Sequence, residues 1–441
     1  MTNMPPVIGQ RRSWKTFRAA VLALAYGLVS APAEEAATNA PPATLTGSWL
    51  ARAKMEERGV APFAVLTTEA WGNVAGGLQQ GGWWNSLLDF GVELDTAKLG
   101  WWQGGSFMAQ CHWVESSGSR GCFGEYTGAF NPVSGIMAGN QLRVFNLYYR
   151  QSWREDAVVL KAGQIAVDDD FMKSEYGGLF INSAFGAMPS QVGTPLASSC
   201  GNPPAFPIYS VAAPGVFLAV RPAEAFTTQV GLYYGRPGLD VPSNHGFDWA
   251  SQAPPELGLF WENGYAYRVA GRAASVHVGL SFHTGPVDDF SAATMGSVPA
   301  TTQTVPNYYL THDLALVADR EGKTKLGLFA RGGITPQPDQ SMVAWYADGG
   351  LNWFAPLPGR PDDVAGVAVS YTRFGSSFQA STAPDGVASD EMTLELTYKA
   401  QVTRWMALQA DAQFLFNPAV NPGSGSRETA IVLGLRANIT F

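Results

Sequence analysis

Charge is scarce in this chain: Asp, Glu, Lys and Arg together make up 15% of its 441 residues, with a net charge of −8. That balance withholds the basic surface on which nucleic-acid binding depends. Metal ligands are equally thin. His112, His245, His277, His283 and His312 fall into no HExxH or comparable spacing. His277 and His283 share a strand parity but would stand about 20 Å apart at ~3.3 Å per residue. Asp168-Asp169-Asp170 is read as the polar start of a loop rather than a cation site. No Gly-x-Ser-x-Gly elbow is present, so the commonest hydrolase signature is missing as well. Neither a cofactor nor a catalytic role is expected. Finally, no stretch reaches the roughly 20 consecutive apolar residues of a membrane helix.

What the chain does have is alternation. Back from the terminus, Phe441, Ile439, Ala437, Leu435, Leu433 and Ile431 share one face, and Thr440, Asn438, Arg436 and Gly434 the other. Side chains alternate across a strand, so one face is continuously apolar while the other is polar and charged. Glu391 to Ala400 repeats the pattern, with Met392, Leu394, Leu396 and Tyr398 set against Glu391, Glu395 and Lys399. Trp405 to Phe416 does so again, Leu408, Ala410, Ala412 and Phe414 opposing Gln409, Asp411 and Gln413. A soluble β-sandwich also alternates. Here the pattern runs from about residue 62 to the last residue, as in a transmembrane β-barrel with a watery interior.

The N-terminus indicates export. Arg11, Arg12, Lys15 and Arg18 precede an apolar run from Ala19 to Val29, and Ala31-Pro32-Ala33 offers a small-residue cleavage site. Residues 1–33 therefore read as a cleaved signal peptide and 34–44 as a flexible linker. Residues 45–59 read as a short periplasmic helix that Ser48 can cap and Gly59 follows. Residues 60–441 form one barrel domain in the outer membrane of a Gram-negative cell. With 14 Trp, the chain is well supplied for the aromatic belts at membrane interfaces.

Strand centres fall near residues 67, 90, 108, 147, 161, 216, 230, 263, 278, 314, 329, 349, 369, 395, 410 and 435, an even count as bacterial barrels require. Tight turns are expected at Arg154-Glu155, Pro222-Ala223, Gly271, Glu321-Gly322 and Val402-Thr403. Between them lie long segments near 114–140, 168–208, 236–256, 285–307, 375–390 and 417–427. Short turns on one rim and long loops on the other are the outer-membrane arrangement. The connection Ala355 to Asp363 is longer than that rule predicts.

Three stretches resemble the carbohydrate-selective porin family. They are Leu45-Thr-Gly-Ser-Trp49 with Arg52 and Glu57-Arg58-Gly59-Val60; Asp89-Phe-Gly-Val-Glu-Leu-Asp95 with Lys98-Leu-Gly-Trp101; and Lys161-Ala-Gly-Gln-Ile165 followed by Asp170-Phe171 and Phe180-Ile-Asn-Ser-Ala-Phe-Gly186. Ser48 stands where the family often has an acidic residue. The resemblance implies an all-β antiparallel barrel of about 16 strands that passes monosaccharides and other small carbohydrates by facilitated diffusion. Two other readings stay open: a non-conducting barrel with a structural or export-assembly role, and an outer-membrane hydrolase. The partners expected are small carbohydrates and outer-membrane lipid, with the chain either a homotrimer or a monomer.

A sugar channel needs weak contacts that assist entry without preventing exit. By strand parity the channel-lining candidates are Glu69, Trp71, Asp89, Glu93, Asp95, Arg143 and Lys161. Trp83, Trp84, Trp101 and Trp102 are assigned to interface belts. The connection 168–208 carries Phe171, Tyr176, Leu179, Phe180, Ile181, Phe185 and Met188, whose apolar side chains avoid external water. It is therefore expected to fold into the lumen and narrow it, with Asp168, Asp169, Asp170, Phe171, Lys173, Phe180, Asn182 and Phe185 at the constriction. There the Asp triplet and Lys173 would meet wall charges such as Lys161 or Arg143. Cys111 and Cys122 bracket a short tip that an oxidising compartment would allow them to close, leaving Cys200 over.

Overall fold

Alternating strands with an apolar outer face cannot leave an edge in lipid, because each unpaired peptide group there costs several kcal/mol. The computed structural model, which describes residues 50–117, 126–192, 206–238, 240–249, 255–293, 298–301, 306–382, 386–419 and 428–441, resolves this by closing the sheet. Its barrel strands are β1 Val60–Ala75, β2 Gly81–Asp95, β3 Gly105–Ser116, β4 Gln141–Trp153, β5 Val158–Ile165, β6 Ala213–Ala223, β7 Phe226–Tyr234 and β8 Leu257–Val269. They continue as β9 Arg272–His283, β10 Asn307–Ala318, β11 Thr324–Ile334, β12 Val343–Phe354, β13 Val364–Phe374, β14 Asp390–Thr403, β15 Met406–Phe416 and β16 Ala430–Thr440. Each pairs antiparallel with its neighbour in the chain, and β16 pairs with β1 to complete the barrel. A two-stranded ribbon, Val287–Asp288 with Ala300–Thr301, lies in the β9–β10 connection.

The barrel inverts the usual distribution of polarity. Outward Val278 and Leu310 are 53% and 43% exposed, whereas inward Asp313 and Arg331 are each 4% exposed. The charges of the strand pattern therefore line the interior, and the apolar set meets the bilayer. All sixteen expected strand centres lie within the observed strands. Two turns sit later than expected, since Pro222-Ala223 and Val402-Thr403 still belong to β6 and β14 and the chain reverses at 224–225 and 404–405. Residues 355–363 do lie on the short-turn rim. Their length is accounted for by Asp363, which accepts from Arg360 (2.8 and 3.0 Å), the Gln401 N–H (3.0 Å) and the Tyr398 hydroxyl (2.5 Å). Ala270 and Gly271, with φ of 50° and 80°, form a two-residue hairpin turn that matches the twist of β8 and β9.

Helix α1, Leu50–Glu57, covers the described part of the expected N-terminal helix. It ends at Gly59, whose φ of 87° suits the left-handed position after a helix. Arg52 pairs with Glu56 at 2.9 Å and donates to the Phe441 carbonyl, tying the helix to the last residue on the short-turn rim. Residues 1–49, including the expected signal peptide, linker and Ser48 cap, lie outside the described residues, as do Cys122 and Cys200. Cys111 stands opposite Phe90 and Val144, on the outward side of β3.

The closing seam carries an ion pair. Glu69 and Arg436 are register partners, and Arg436 Nε donates to Glu69 Oε1 at 2.7 Å. Glu69 also accepts from Trp71 Nε1 at 2.8 Å, Asn85 Nδ2 at 3.2 Å and Ser134 Oγ at 3.0 Å. Removing one partner of a buried pair strands the other, at a cost of about 3–5 kcal/mol. Glu69→Ala is thus expected to lower the urea midpoint at which the folded band converts on semi-native electrophoresis. An unchanged midpoint would show that the seam does not rely on this pair.

Candidate functional site

The interior is divided by two loops. The β5–β6 connection, described over 166–192 and 206–212, runs inward from the wall it leaves. Gln229 Nε2 donates to the Asp170 carbonyl at 2.8 Å, and the Met172 N–H to Glu262 at 3.2 Å. Farther along, the Glu175 and Tyr176 N–H groups reach Asp313 at 3.1 and 3.2 Å. The Ile181 and Asn182 N–H groups reach Glu395 at 2.6 and 2.9 Å. Its carbonyls are served from the opposite wall: Arg331 donates to Gly186 at 2.8 Å, Tyr346 to Ala184 at 2.6 Å and Gln409 to Leu179 at 2.8 Å. These partners belong to strands from β7 round to β15, so the loop crosses the lumen.

Apolar packing fixes its depth. Phe171, Tyr176, Phe180, Ile181, Phe185 and Met188 are all buried. Phe180 and Phe185 pack on Phe329 of β11 with ring centroids 5.5 and 6.2 Å apart. Inward glycines provide the room. A Cβ at Gly327 would lie 2.7 Å from the Tyr176 ring, and one at Gly366 would lie 2.7 Å from Leu179.

A second inward loop, the described part 126–140 of the β3–β4 connection, escaped the sequence reading. Phe130 and Asn131 N–H donate to Glu391 at 2.6 and 2.9 Å, and Gln413 Nε2 to the Val133 carbonyl at 2.8 Å. It bonds to the first loop through Gly135 N–H to Ile181 O at 2.9 Å and Ser183 N–H to Pro132 O at 3.0 Å. The signal was present in the run Ala129-Phe130-Asn-Pro-Val133, which is as apolar as the segment that was recognised.

The expected channel residues separate into three groups. Glu69, Trp71 and Arg143 point inward but are 2%, 0% and 2% exposed, covered by neighbouring groups rather than open to the lumen. Trp71 stacks on Trp83, whose other neighbour is Tyr126 at 5.0 Å. Trp83 is therefore an interior residue and not part of an interface belt, while Trp84, Trp101 and Trp102 are exposed on the outside. Arg143 pairs with Asp240 at 3.1 Å and donates to the Ser210 carbonyl, so it does not meet the Asp triplet. Asp95 accepts from the Ala97 and Lys98 N–H groups and shapes the β2–β3 turn. Asp89, Glu93 and Lys161 are partly exposed on the inner wall.

The Asp triplet diverges. Asp168 accepts the Tyr209 N–H at 3.2 Å, Asp169 accepts Asn146 Nδ2 at 2.8 Å, and Asp170 pairs with Lys161 at 2.6 Å. Burial, reinforced by the Asp169 carboxylate, pushes Asp168 up to about 6. Burial also raises Asp170, and Lys161 opposes it. Lys161 lies between the Tyr148 and Phe217 rings, 5.5 and 5.3 Å from their centroids. Lys173 and Glu175 are exposed on the loop, whereas Asn182 is buried, its Nδ2 bonded to Gln413 at 2.9 Å.

Parity alone missed Gln110 and Asn146. The β3–β4 register slips at Phe145, so Gln110 faces Asn146 while Cys111 faces Val144. This β-bulge switches the parity of β4 and lets Arg143 and Asn146 both point inward. Gln164 Nε2 satisfies the carbonyls exposed at the bulge, Val144 O at 2.8 Å and Phe145 O at 2.9 Å. The result is a continuous wall network: Asn146 Nδ2 bonds Gln110 Oε1 at 2.7 Å and Gln110 Nε2 bonds Asp89 Oδ1 at 2.8 Å.

The sequence family described as "Carbohydrate-selective porin, OprB family" matches residues 86–441. No curated protein matches the chain. The high-pH structure of Pseudomonas putida OprB superimposes with a TM-score of 0.77 at 19% identity, covering 92% of this chain and 100% of that one. The low-pH structure of the same protein gives a TM-score of 0.56 at 15% identity over the same shares. At these identities the likeness establishes the fold.

Glu395 accepts two consecutive loop N–H groups, and a buried N–H that loses its acceptor costs about 1–3 kcal/mol. Glu395→Ala is expected to leave the barrel folded while making 174–186 sensitive to protease and the open-channel current noisy. Proteolysis and noise both equal to wild type would show that the loop does not depend on this carboxylate.

Proposed function

We propose, from the premise that the chain belongs to the carbohydrate-selective porin family, that it is an outer-membrane channel for facilitated diffusion of monosaccharides and other small carbohydrates. The supporting observation is the closed barrel whose polar lumen is crossed by a loop bonded to strands around most of the circumference. Residues such as Asp89, Glu93, Gln110, Asp169 and Lys173 then offer hydroxyl-binding groups at partial exposure. Contacts of this kind are weak enough to be exchanged for water, as passage requires. The apolar rings of the loop hold the constriction and do not themselves bind sugar, since most are buried.

In this reading residues 1–33 are removed on export, the short-turn rim with α1 is periplasmic, and the rim bearing the long connections is extracellular. Asp168, Asp169, Asp170 and Lys173 set the field at the constriction, with Phe171, Phe180, Asn182 and Phe185 behind them as its support. Transport by diffusion along a gradient requires no catalytic residue and no cofactor.

Two measurements test the reading. Liposomes carrying the purified barrel are expected to swell in glucose and progressively less in larger sugars; absence of swelling together with no conductance in planar bilayers would overturn it. Deleting 174–186 is expected to raise single-channel conductance and admit larger sugars. A folded deletion variant with unchanged conductance and size cutoff would place the limiting constriction elsewhere.

A further inference from the structure

Four inward-facing cations are neutralised where they stand, whereas Lys399 and the loop's Lys173 have no carboxylate within 4 Å among the described residues. Arg143 pairs with Asp240 at 3.1 Å, Lys161 with Asp170 at 2.6 Å, Arg331 with Asp348 at 2.5 Å and Arg436 with Glu69 at 2.5 Å. Asp89 on the wall and Asp169 on the loop that faces it are treated differently. Asp89 and Asp169 are joined through the amides of Gln110 and Asn146, at 2.8, 2.7 and 2.8 Å. No Lys or Arg lies within 4 Å of either among the described residues; His112 stands 3.6 Å from Asp89.

The direction of the hydrogen bonds is informative. Both amides spend N–H groups along the ladder, Gln110 on Asp89 and Asn146 on Gln110 and Asp169. What remains for a solute is mainly acceptors. Asn146, only 4% exposed, adds a second and independent observation, because its Oδ1 has no hydrogen-bond partner. A buried acceptor of this kind is costly when left alone and calls for a donor. Hydroxyl and ammonium groups are donors; carboxylate and phosphate groups are not. At ~4.8 Å between strands, the ladder from β2 across β3 to β4 spans about 10 Å of wall. Glu93, on the same inward parity of β2, extends the negative field toward the short-turn rim.

We propose that the Asp89–Gln110–Asn146–Asp169 ladder is a charge filter that passes neutral and amino sugars and rejects anionic ones such as uronates and sugar phosphates. This inference rests on the porin reading above and adds a substrate class to it. A lumen lined by one sign of charge concentrates the opposite sign and depletes its own, and the effect weakens as salt shortens the Debye length.

The test uses the full-length barrel in planar bilayers and liposomes, with potassium chloride gradients and glucose, glucosamine and glucuronate as solutes. Wild type is expected to show a reversal potential of cation-selective sign at 0.1 M salt, collapsing toward zero at 1 M. Swelling should rank glucosamine and glucose well above glucuronate. In Asp89→Asn/Asp169→Asn the reversal potential should move toward zero and the glucuronate-to-glucose ratio rise several-fold. Asp169→Asn alone, which alters only the loop, should shift both readouts in the same direction and guards against misfolding of the double variant. Glucose flux with no discrimination against glucuronate, or selectivity unmoved in a folded variant, would overturn the filter while leaving the porin reading intact. No swelling in any sugar would overturn both.

Discussion

At bilayer depth a peptide group has no water to turn to, and the architecture follows from satisfying every such group from within the protein. For the strands, closure of β16 on β1 suffices. Bringing two loops inside reopens the problem, because irregular backbone cannot pair with itself. Strand carboxylates take the place of water. Glu391 accepts from consecutive N–H groups of Phe130 and Asn131, Glu395 from Ile181 and Asn182, and Asp313 from Glu175 and Tyr176. One carboxylate facing two adjacent N–H groups is a charge-assisted contact, stronger than a neutral pair. Much of the charge in the strand pattern therefore serves the loops rather than the solute.

That division explains which parts of the molecule could be read from sequence. The period-2 pattern is local and strict, since a slip by one residue would put Glu395 or Arg331 in lipid, so strand positions are legible from alternation alone. The inward course of 166–192 was legible for a related reason: Phe171, Phe180 and Phe185 are too apolar for an extracellular loop, and in a barrel the lumen is their shelter. The same holds for Phe130 and Val133, but there the Gly- and Ser-rich surroundings of 114–140 resemble an ordinary external loop and mask the signal.

The site was less legible than the fold. Parity places a side chain on the inner wall without saying whether a loop will cover it, which is why Glu69, Trp71 and Arg143 read as channel residues and prove to be buried. Nor can parity cross a bulge. The extra residue at Phe145 exchanges inside for outside within β4, and nothing in Leu142-Arg143-Val144-Phe145-Asn146 announces it. The bulge is held by a glutamine from the next strand, Gln164, a contact defined only once the strands are paired.

A rigid loop and a partly free wall have complementary consequences for passage. The loop is bonded to strands from β4 to β15 and packed on aromatic rings, so opening it would break many contacts at once, and the narrowing it imposes is a fixed feature of the channel. Selection among solutes that fit must then come from groups that remain exchangeable. Among them are the partly exposed side chains of β2 to β5 and the loop residues facing them, where Asp169 is exposed and Asp89 retains an oxygen beyond its bond to Gln110. In the proposed reading a fixed aperture sets size, and a short row of acceptors sets chemistry. The two tasks fall largely to different wall carboxylates, since Glu262, Asp313 and Glu395 hold the loop while Asp89 does not bond to it among the described residues.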